Sequence, residues 1–472
     1  MTPRPSHARI NPTRRTLLGG ATAAGAAGLL SGCVTAGGSD ESDEATGAVT
    51  EANPLGVPEG TDLEVVMFNG GYGEAYTQHA AEVYEGLHPE ATVDHQGIQR
   101  VGETLQPRFV AGEPPDVVDN TGAGRLDIAQ LAASDQLHDL TELLDAPSLD
   151  DPAVPVRDTL LPGVVEDGTL DGAVRFLNYS SVVWGIWYST SLFDANGWTY
   201  PDTWDDMLAL CEEIKQSGIA PWTWQGKYPE YMVDPLQAMA AKSGGIDLVK
   251  AVDNLEPDAW RQDAVLAAAE AVHRLVTDGH IMEGSEALSH TEAQNSWNNG
   301  EAAFIPCGSW LEGEQQEVSP EGFDMVMAPV PDLTASDAMP FGALQGTSSE
   351  SFLVPSQAAN TRGGLDYLRC LFSTEVARGF AETAKALPVV LGATEGVEMT
   401  SGLASVADAV GSAGEHIFGY KYRLWYAPLA KAVDDATGEL LTGRLDPEEW
   451  GDRIQAAADE VADDDSVTKY QR

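Results

Sequence analysis

The residues in this sequence that could do chemistry are aromatic and amide side chains standing together in polar, loop-like surroundings. Trp222, Thr223, Trp224 and Gln225 form one such stretch, Gly308, Ser309 and Trp310 a second, and Tyr422, Arg423, Leu424, Trp425 and Tyr426 a third. An indole face stacks on the weakly positive C–H face of a sugar ring, while neighbouring amides and carboxylates bond its hydroxyls. The chain has 11 Trp, enough for a site and a core, and Trp184, Trp198, Trp204, Trp260 and Trp450 are assigned to packing. Trp184 and Trp187, on one predicted strand, could share a wall. Asn69, Gly70 and Gly71, and then Asp119 and Asn120, directly follow predicted strands, where ligands of open α/β sheets sit. An Asx turn at each strand end is the plain alternative.

Motifs for covalent or metal chemistry are missing from the sequence. It holds no G-x-S-x-G, C-x-x-C, H-E-x-x-H or EF-hand loop, so no catalytic residue, cofactor or metal site is expected. The 74 Asp and Glu guarantee accidental acid pairs, which leaves a secreted glycoside hydrolase or lyase as the alternative function.

The elements that must position these groups follow from periodicity. Residues 63–68 form a short apolar run ended by glycines, and Tyr76, Ala80, Val83, Tyr84 and Leu87 then recur at helical spacing. Strands at 91–95 and 116–119, with a helix reaching Phe109 between them, complete a strand–helix–strand–helix–strand pattern, the mark of a parallel sheet covered by helices. Further strands are predicted at 182–188, 302–305, 325–328 and 351–354. Thr203 caps a helix with Asp206 as its reciprocal partner, and Gly218 ends it. One helix is predicted over 365–384, and Asp446-Pro447 opens the last. The body is α/β and too long for one core, so two lobes are expected.

Of 472 residues, 74 are acidic and 26 basic, a net charge of −48. This excludes a nucleic-acid binder, because phosphate neutralisation needs Lys and Arg, and argues against electrostatic docking on anionic membranes. Residues 1–32 carry Arg4, Arg9, Arg14 and Arg15, no acid, and an apolar stretch too short to span a bilayer, ending just before Cys33. Residues 33–61, rich in Gly, Ser, Thr, Asp and Glu, are expected to form a flexible tether. Cys211, Cys307 and Cys370 are expected as buried apolar residues, although one disulfide stays open.

Several stretches together resemble a known family. YSTSLFDANG (188–197) followed by PDTWD (201–205), and WNNGEAAF (297–304) followed by GSW (308–310), are similar to motifs of the extracytoplasmic solute-binding proteins of bacterial ABC sugar importers, the group that includes maltose-binding protein. FNGGYG (68–73), LQPRF (105–109), PPDVVDN (114–120) and WTWQGKY (222–228) resemble more closely the actinobacterial lipoproteins that bind N-acetylglucosamine and N,N′-diacetylchitobiose. The region around Arg14-Arg15 and that around Cys33 resemble a twin-arginine signal and a bacterial lipoprotein signal, respectively.

The resemblance implies a two-lobed periplasmic-binding-protein fold with a hinged cleft, one lobe from residues 62–177 and 341–392 and the other from 178–340 and 393–472. It implies a monomer that takes a small sugar and passes it to the transmembrane subunits of an ABC permease, held outside the cell membrane only by a lipid on Cys33. By position, Asn69, Asp119, Asn120 and Asn178 are its ligand residues on the first side. Trp224, Gln225, Lys227, Tyr228, Trp310 and Trp425 come from the second, and Gln345 lies where the chain returns. The pair Trp222 and Trp224 departs from the maltose binder, so a maltose-type pose is not implied, and a binding protein for another sugar is the second alternative.

Overall fold

The first strand, Leu63–Phe68, pairs in parallel with Val93–Ile98 on one side and Val117–Asp119 on the other. Helices Ala75–Leu87 and Val101–Ala111 make the connections, as the periodicity requires. The computed structural model describes residues 46–472 except 123 and 162; the expected leader, Cys33 and the start of the tether lie outside the described residues.

Two strands carry the chain between its cores. The long strand Leu177–Ser189 pairs antiparallel with the return strand Leu344–Leu353, from Gly346 opposite Val183 to Phe352 opposite Leu177. Beyond Val183 the long strand leaves that partner for Ala302–Gly308 and Met325–Ala328. The return strand runs on beside Val117–Asp119, with Phe352 opposite Asp119. Both crossing strands begin several residues earlier than expected, because the added residues, Asn178, Ser180, Gln345 and Glu350 among them, are polar yet buried. Hydrophobic alternation does not register such residues.

The apolar core divides along these strands. Leu177 and Phe352 sit with Leu63, Tyr84 and Leu368, and Leu353 sits with Val66 and Val118. Val183 and Leu344 belong instead with Trp187, Trp297 and Ile305, beside a larger cluster built on Met207, Trp222, Leu236 and Trp450. Trp204–Ser217 starts where the Thr203 side chain accepts from the Asp206 N–H and stops at Gly218, whose φ of 86° suits glycine. Asp446 and Glu449 close a reciprocal cap on Pro447–Asp463.

Three expectations need correcting, and the open question of a disulfide closes in favour of buried apolar cysteines. The 365–384 helix is two helices, Thr361–Leu371 and Thr374–Ala384, because Ser373 caps the second through the Val376 N–H. The tether does not persist through its described part: Leu55 and Val57 are buried in the first core, and the Asn53 side chain bonds both backbone groups of Val57. No disulfide joins Cys211, Cys307 and Cys370, which are buried and free. Trp184 and Trp187, three residues apart on one strand, face opposite sides and share no wall. Among the described residues, no helix is long and apolar enough to cross a membrane.

One buried ionic cluster ties the first core to its covering helices. Asp366 receives hydrogen bonds from His88 at 2.7 Å and Arg369 at 2.6 Å. Burial pushes its carboxyl up, but His88 and Arg369 more than offset this and hold it below its ordinary value. A carboxyl depressed in the folded state stabilises above its unfolded pKa and loses that contribution as pH falls through the folded one. Asp366→Asn is therefore expected to cost about 3–5 kcal/mol at neutral pH. Urea unfolding checks this, and the gap from the parent should shrink in acid.

Candidate functional site

The first wall is built at the ends of the parallel strands. The Phe68 ring lies across Gly70 and Gly122, where a Cβ would stand 2.1 and 2.4 Å from its atoms, so both positions need glycine. Asn69, just beyond, donates its side-chain amide to Glu74. Asp119 is fully buried and accepts from the Thr121 hydroxyl at 2.6 Å; Thr121 in turn accepts from the Ser351 N–H of the return strand at 3.0 Å. Asn120 turns inward: its amide donates to the Leu126 carbonyl at 3.0 Å, and its oxygen accepts from the Leu126 N–H at 2.7 Å. That clamp fixes the loop bearing Arg125.

The second wall is aromatic. Trp310 folds back over Gly308, where a Cβ would fall 1.9 Å from the ring. It meets Trp184 edge-on at 4.9 Å and Tyr231 at 6.1 Å, and Trp184 and Tyr231 meet at 5.5 Å, so three rings form a box. Glu314, one turn beyond Trp310, accepts from the Gln294 amide at 2.5 Å, and burial raises its pKa. Glu314 is also where the walls touch, for a Cβ on Gly71 would lie 2.7 Å from its Oε1. The Tyr72 hydroxyl is buried beside Glu350 and Glu314.

The crossing strands supply the floor. The Asn178 oxygen accepts from the Ser351 hydroxyl at 2.7 Å, and Gln345 donates its amide to Asp234. Burial pushes Asp234 up to about 8, against the pull of Arg423. Arg423 is committed to Asp434, with contacts of 2.9 and 3.1 Å. Arg125, exposed on the clamped loop, lies near the same group of charges, Arg423, Asp127, Glu230 and Asp434. The two walls and the floor thus carry aromatic plates on one side and amides and carboxyls on the other, a candidate crevice. That inventory suits a polyhydroxylated ligand.

The bacterial extracellular solute-binding protein family matches residues 69–378, about two thirds of the chain. The protein belongs to this family. It is 32% identical over 462 residues to the diacetylchitobiose-binding protein NgcE of Streptomyces coelicolor, with 97% of each chain covered. Among solved structures, a chitin oligosaccharide binding protein superposes with a TM-score of 0.71 at 20% identity, over 84% of this chain and 98% of that one. Maltose-bound MalE3 of T. maritima gives 0.69 at 18% identity, over 85% and 100%. The expected two-lobed periplasmic-binding-protein fold is thus the fold of this solute-binding protein.

Asn69 and Asp119 lie at the ends of the parallel strands, Asn178 and Gln345 on the two crossing strands, and Trp310 just beyond Ala302–Gly308. Others of the sequence candidates are placed differently. Trp222 is buried against Trp204 and Phe304, at 5.8 and 5.3 Å. Trp224 is buried and lines a separate depression of about 640 Å³ with Pro229, Glu286, Glu439 and Arg453. Gln225 is buried and donates to the Pro306 carbonyl at 3.0 Å. Lys227 is exposed beside Glu292, and Tyr228 lies 5.3 Å from the His290 ring. Trp425 stacks on Tyr470 at 5.4 Å and, with Leu424, packs against the cluster of Leu126 and Ile128.

The sequence reasoning missed Glu74, Arg125, Tyr231, Asp234, Glu314 and Glu350, and it assigned Trp184 to packing although it forms part of the box. Only Arg125 gave a usable signal, as a rare cation six residues beyond Asp119. Because both ends of its amide are spent on Leu126, Asn120→Ala should act through stability, costing about 1–3 kcal/mol. An unchanged denaturant midpoint would contradict the clamp.

Proposed function

We propose that this solute-binding protein is the capturing component of an ABC importer, that it binds N-acetylglucosamine or N,N′-diacetylchitobiose, and that it hands the sugar unaltered to a membrane permease. The observation that carries the proposal is the aromatic box of Trp184, Tyr231 and Trp310 facing a rim of buried amides and carboxyls. The likeness to NgcE supports the choice of sugar. Asn69, Asp119, Asn178, Trp310, Gln345 and Trp425 are the contacts we assign, with one face of Trp425 already taken by Tyr470. The lobe division at about residues 178 and 341, with a second return near 393, is supported by the way the core clusters separate along the two crossing strands. Closure of one lobe on the other would exclude water and strengthen each hydrogen bond. Attachment through a lipid on Cys33, twin-arginine export and a monomeric state complete the proposal.

An acetamido group adds a carbonyl that needs a donor, and Arg125 supplies one from the clamped loop. The hydrolase alternative is disfavoured by the crevice acids that lie in contact: Asp119 and Glu350 touch, whereas glycosidase carboxyls stand about 5 Å or more apart to flank a sugar carbon.

Incubation with chitooligosaccharides distinguishes binder from enzyme. A raised melting temperature with unchanged sugar supports capture; new reducing ends would refute it. Trp310→Ala is expected to weaken binding about tenfold or more with little change in melting temperature, and an unchanged calorimetric affinity would remove Trp310 from the site. Arg125→Gln should reduce the preference for N-acetylglucosamine over glucose by about tenfold. A preserved ratio in competition calorimetry would show that the donor lies elsewhere.

A further inference from the structure

Two carboxyl groups meet inside the first wall with no cation between them. Asp119 is 0% exposed and Glu350 4% exposed. Asp119 Oδ1 is satisfied by Thr121, but Oδ2 is buried and receives no N–H or O–H from any described residue. Its neighbour there is Glu350, within hydrogen-bonding reach. Glu350 is brought to it by the return strand, two residues before Phe352, which pairs with Asp119. The oxygens of Glu350 have only long contacts, 3.4 Å from the Tyr76 hydroxyl and 3.4 Å from the Ser349 hydroxyl. Two ionised acids cannot share such a place, and one proton between them resolves both the repulsion and the orphaned oxygen.

The backbone agrees that this placement is held by its surroundings. Glu350 has a φ of +59° within a β-strand, a conformation that residues with a side chain rarely adopt. Such strain persists where the structure over-determines it, often at functional sites.

We propose that Glu350 is a positioning residue behind the sugar site: its carboxyl donates a proton to Asp119 Oδ2 and so holds the buried end of the parallel strand, with the Thr121 loop, in the shape the sugar meets. This rests on the assignment of these strand ends as a sugar-binding wall. The groups facing the pair are Tyr76 from helix Ala75–Leu87, Tyr179 from the long strand, Tyr367 from helix Thr361–Leu371, Thr121 and the Phe68 backbone at the strand ends, and Tyr72 and Glu314 at the crevice. None is a cation, and although Thr121 and the Phe68 backbone favour an ionised Asp119, and Tyr76 and Ser349 an ionised Glu350, these bonds do not offset burial. Burial raises Asp119, and burial together with Asp119 raises Glu350 well above the carboxylate range. A group raised in the folded state makes its contribution at low pH and loses it as pH rises through the folded pKa. Binding should therefore weaken toward alkaline pH.

The test is calorimetry with N,N′-diacetylchitobiose on the full chain, from about pH 5 to about pH 9. The parent should lose about tenfold in affinity across the alkaline limb, and Glu350→Leu, which has no donor, should be weak by a similar factor at every pH. Glu350→Gln carries a permanent donor and should rescue the Leu defect while flattening the profile. A Gln variant as weak as Leu, or one retaining the parent's alkaline loss, would overturn the proposal. Melting temperature without sugar follows the pair independently: the parent should lose stability toward alkaline pH and the Gln variant should not. If no variant binds sugar at any pH, the sugar assignment fails, and equal alkaline losses in melting temperature would refute the shared proton as well.

Discussion

The antiparallel pairing of residues 177–183 with 346–352 is the constraint on which the rest of the molecule depends. It is the place where the chain passes between two apolar cores, and polar side chains along it, Asn178, Ser180 and Glu350 among them, are buried between apolar ones such as Leu177, Val183 and Phe352. Polar groups there must find partners, because an unpaired buried donor or acceptor is costly. Each partnership fixes part of the site. Ser351 donates its hydroxyl to Asn178 and its N–H to Thr121, which in turn donates to Asp119. Gln345 holds Asp234. The two crossing strands and the polar groups bonded to them are therefore coupled, so a movement of either strand would disturb these bonds.

Acidity has two separate roles. Most of the 74 acidic residues lie on a surface poor in lysine, where net charge keeps a protein soluble. Those at the crevice behave differently: Asp119, Asp234, Glu314 and Glu350 are all raised by burial. A carboxyl held neutral can donate as well as accept. Sugar hydroxyls need both donors and acceptors, and buried amides and carboxyls at the strand ends and crossing strands offer them without lysine.

Much of the fold was legible because it rests on local signals. Apolar runs and helical spacing located the parallel strands and their helices, and Thr203, Gly218 and Asp446 marked their ends by capping chemistry. The rule that strand ends face ligands singled out Asn69 and Asp119, and its polar setting singled out Trp310; all three stand at or just beyond strand ends. Glu350 and Asp234 were not legible, since each is a lone acid in unremarkable sequence whose role comes from a strand partner more than a hundred residues away. Trp222 and Trp224 misled for the opposite reason: their polar neighbours Thr223 and Gln225 are themselves buried, bonded to Ser285 and Pro306. A polar stretch signals a surface loop only when its partners are water.

The position of the ligand is most directly tested by tryptophan emission. Trp187, Trp222, Trp260, Trp297 and Trp450 are sealed in the cores, whereas Trp184 and Trp310 meet edge-on beside Tyr231 in the aromatic wall. Titration with N,N′-diacetylchitobiose should give a saturable change in emission whose midpoint matches the calorimetric Kd, with most of the signal gone in Trp310→Phe. Saturable heat with unchanged emission would put the sugar somewhere other than between these walls.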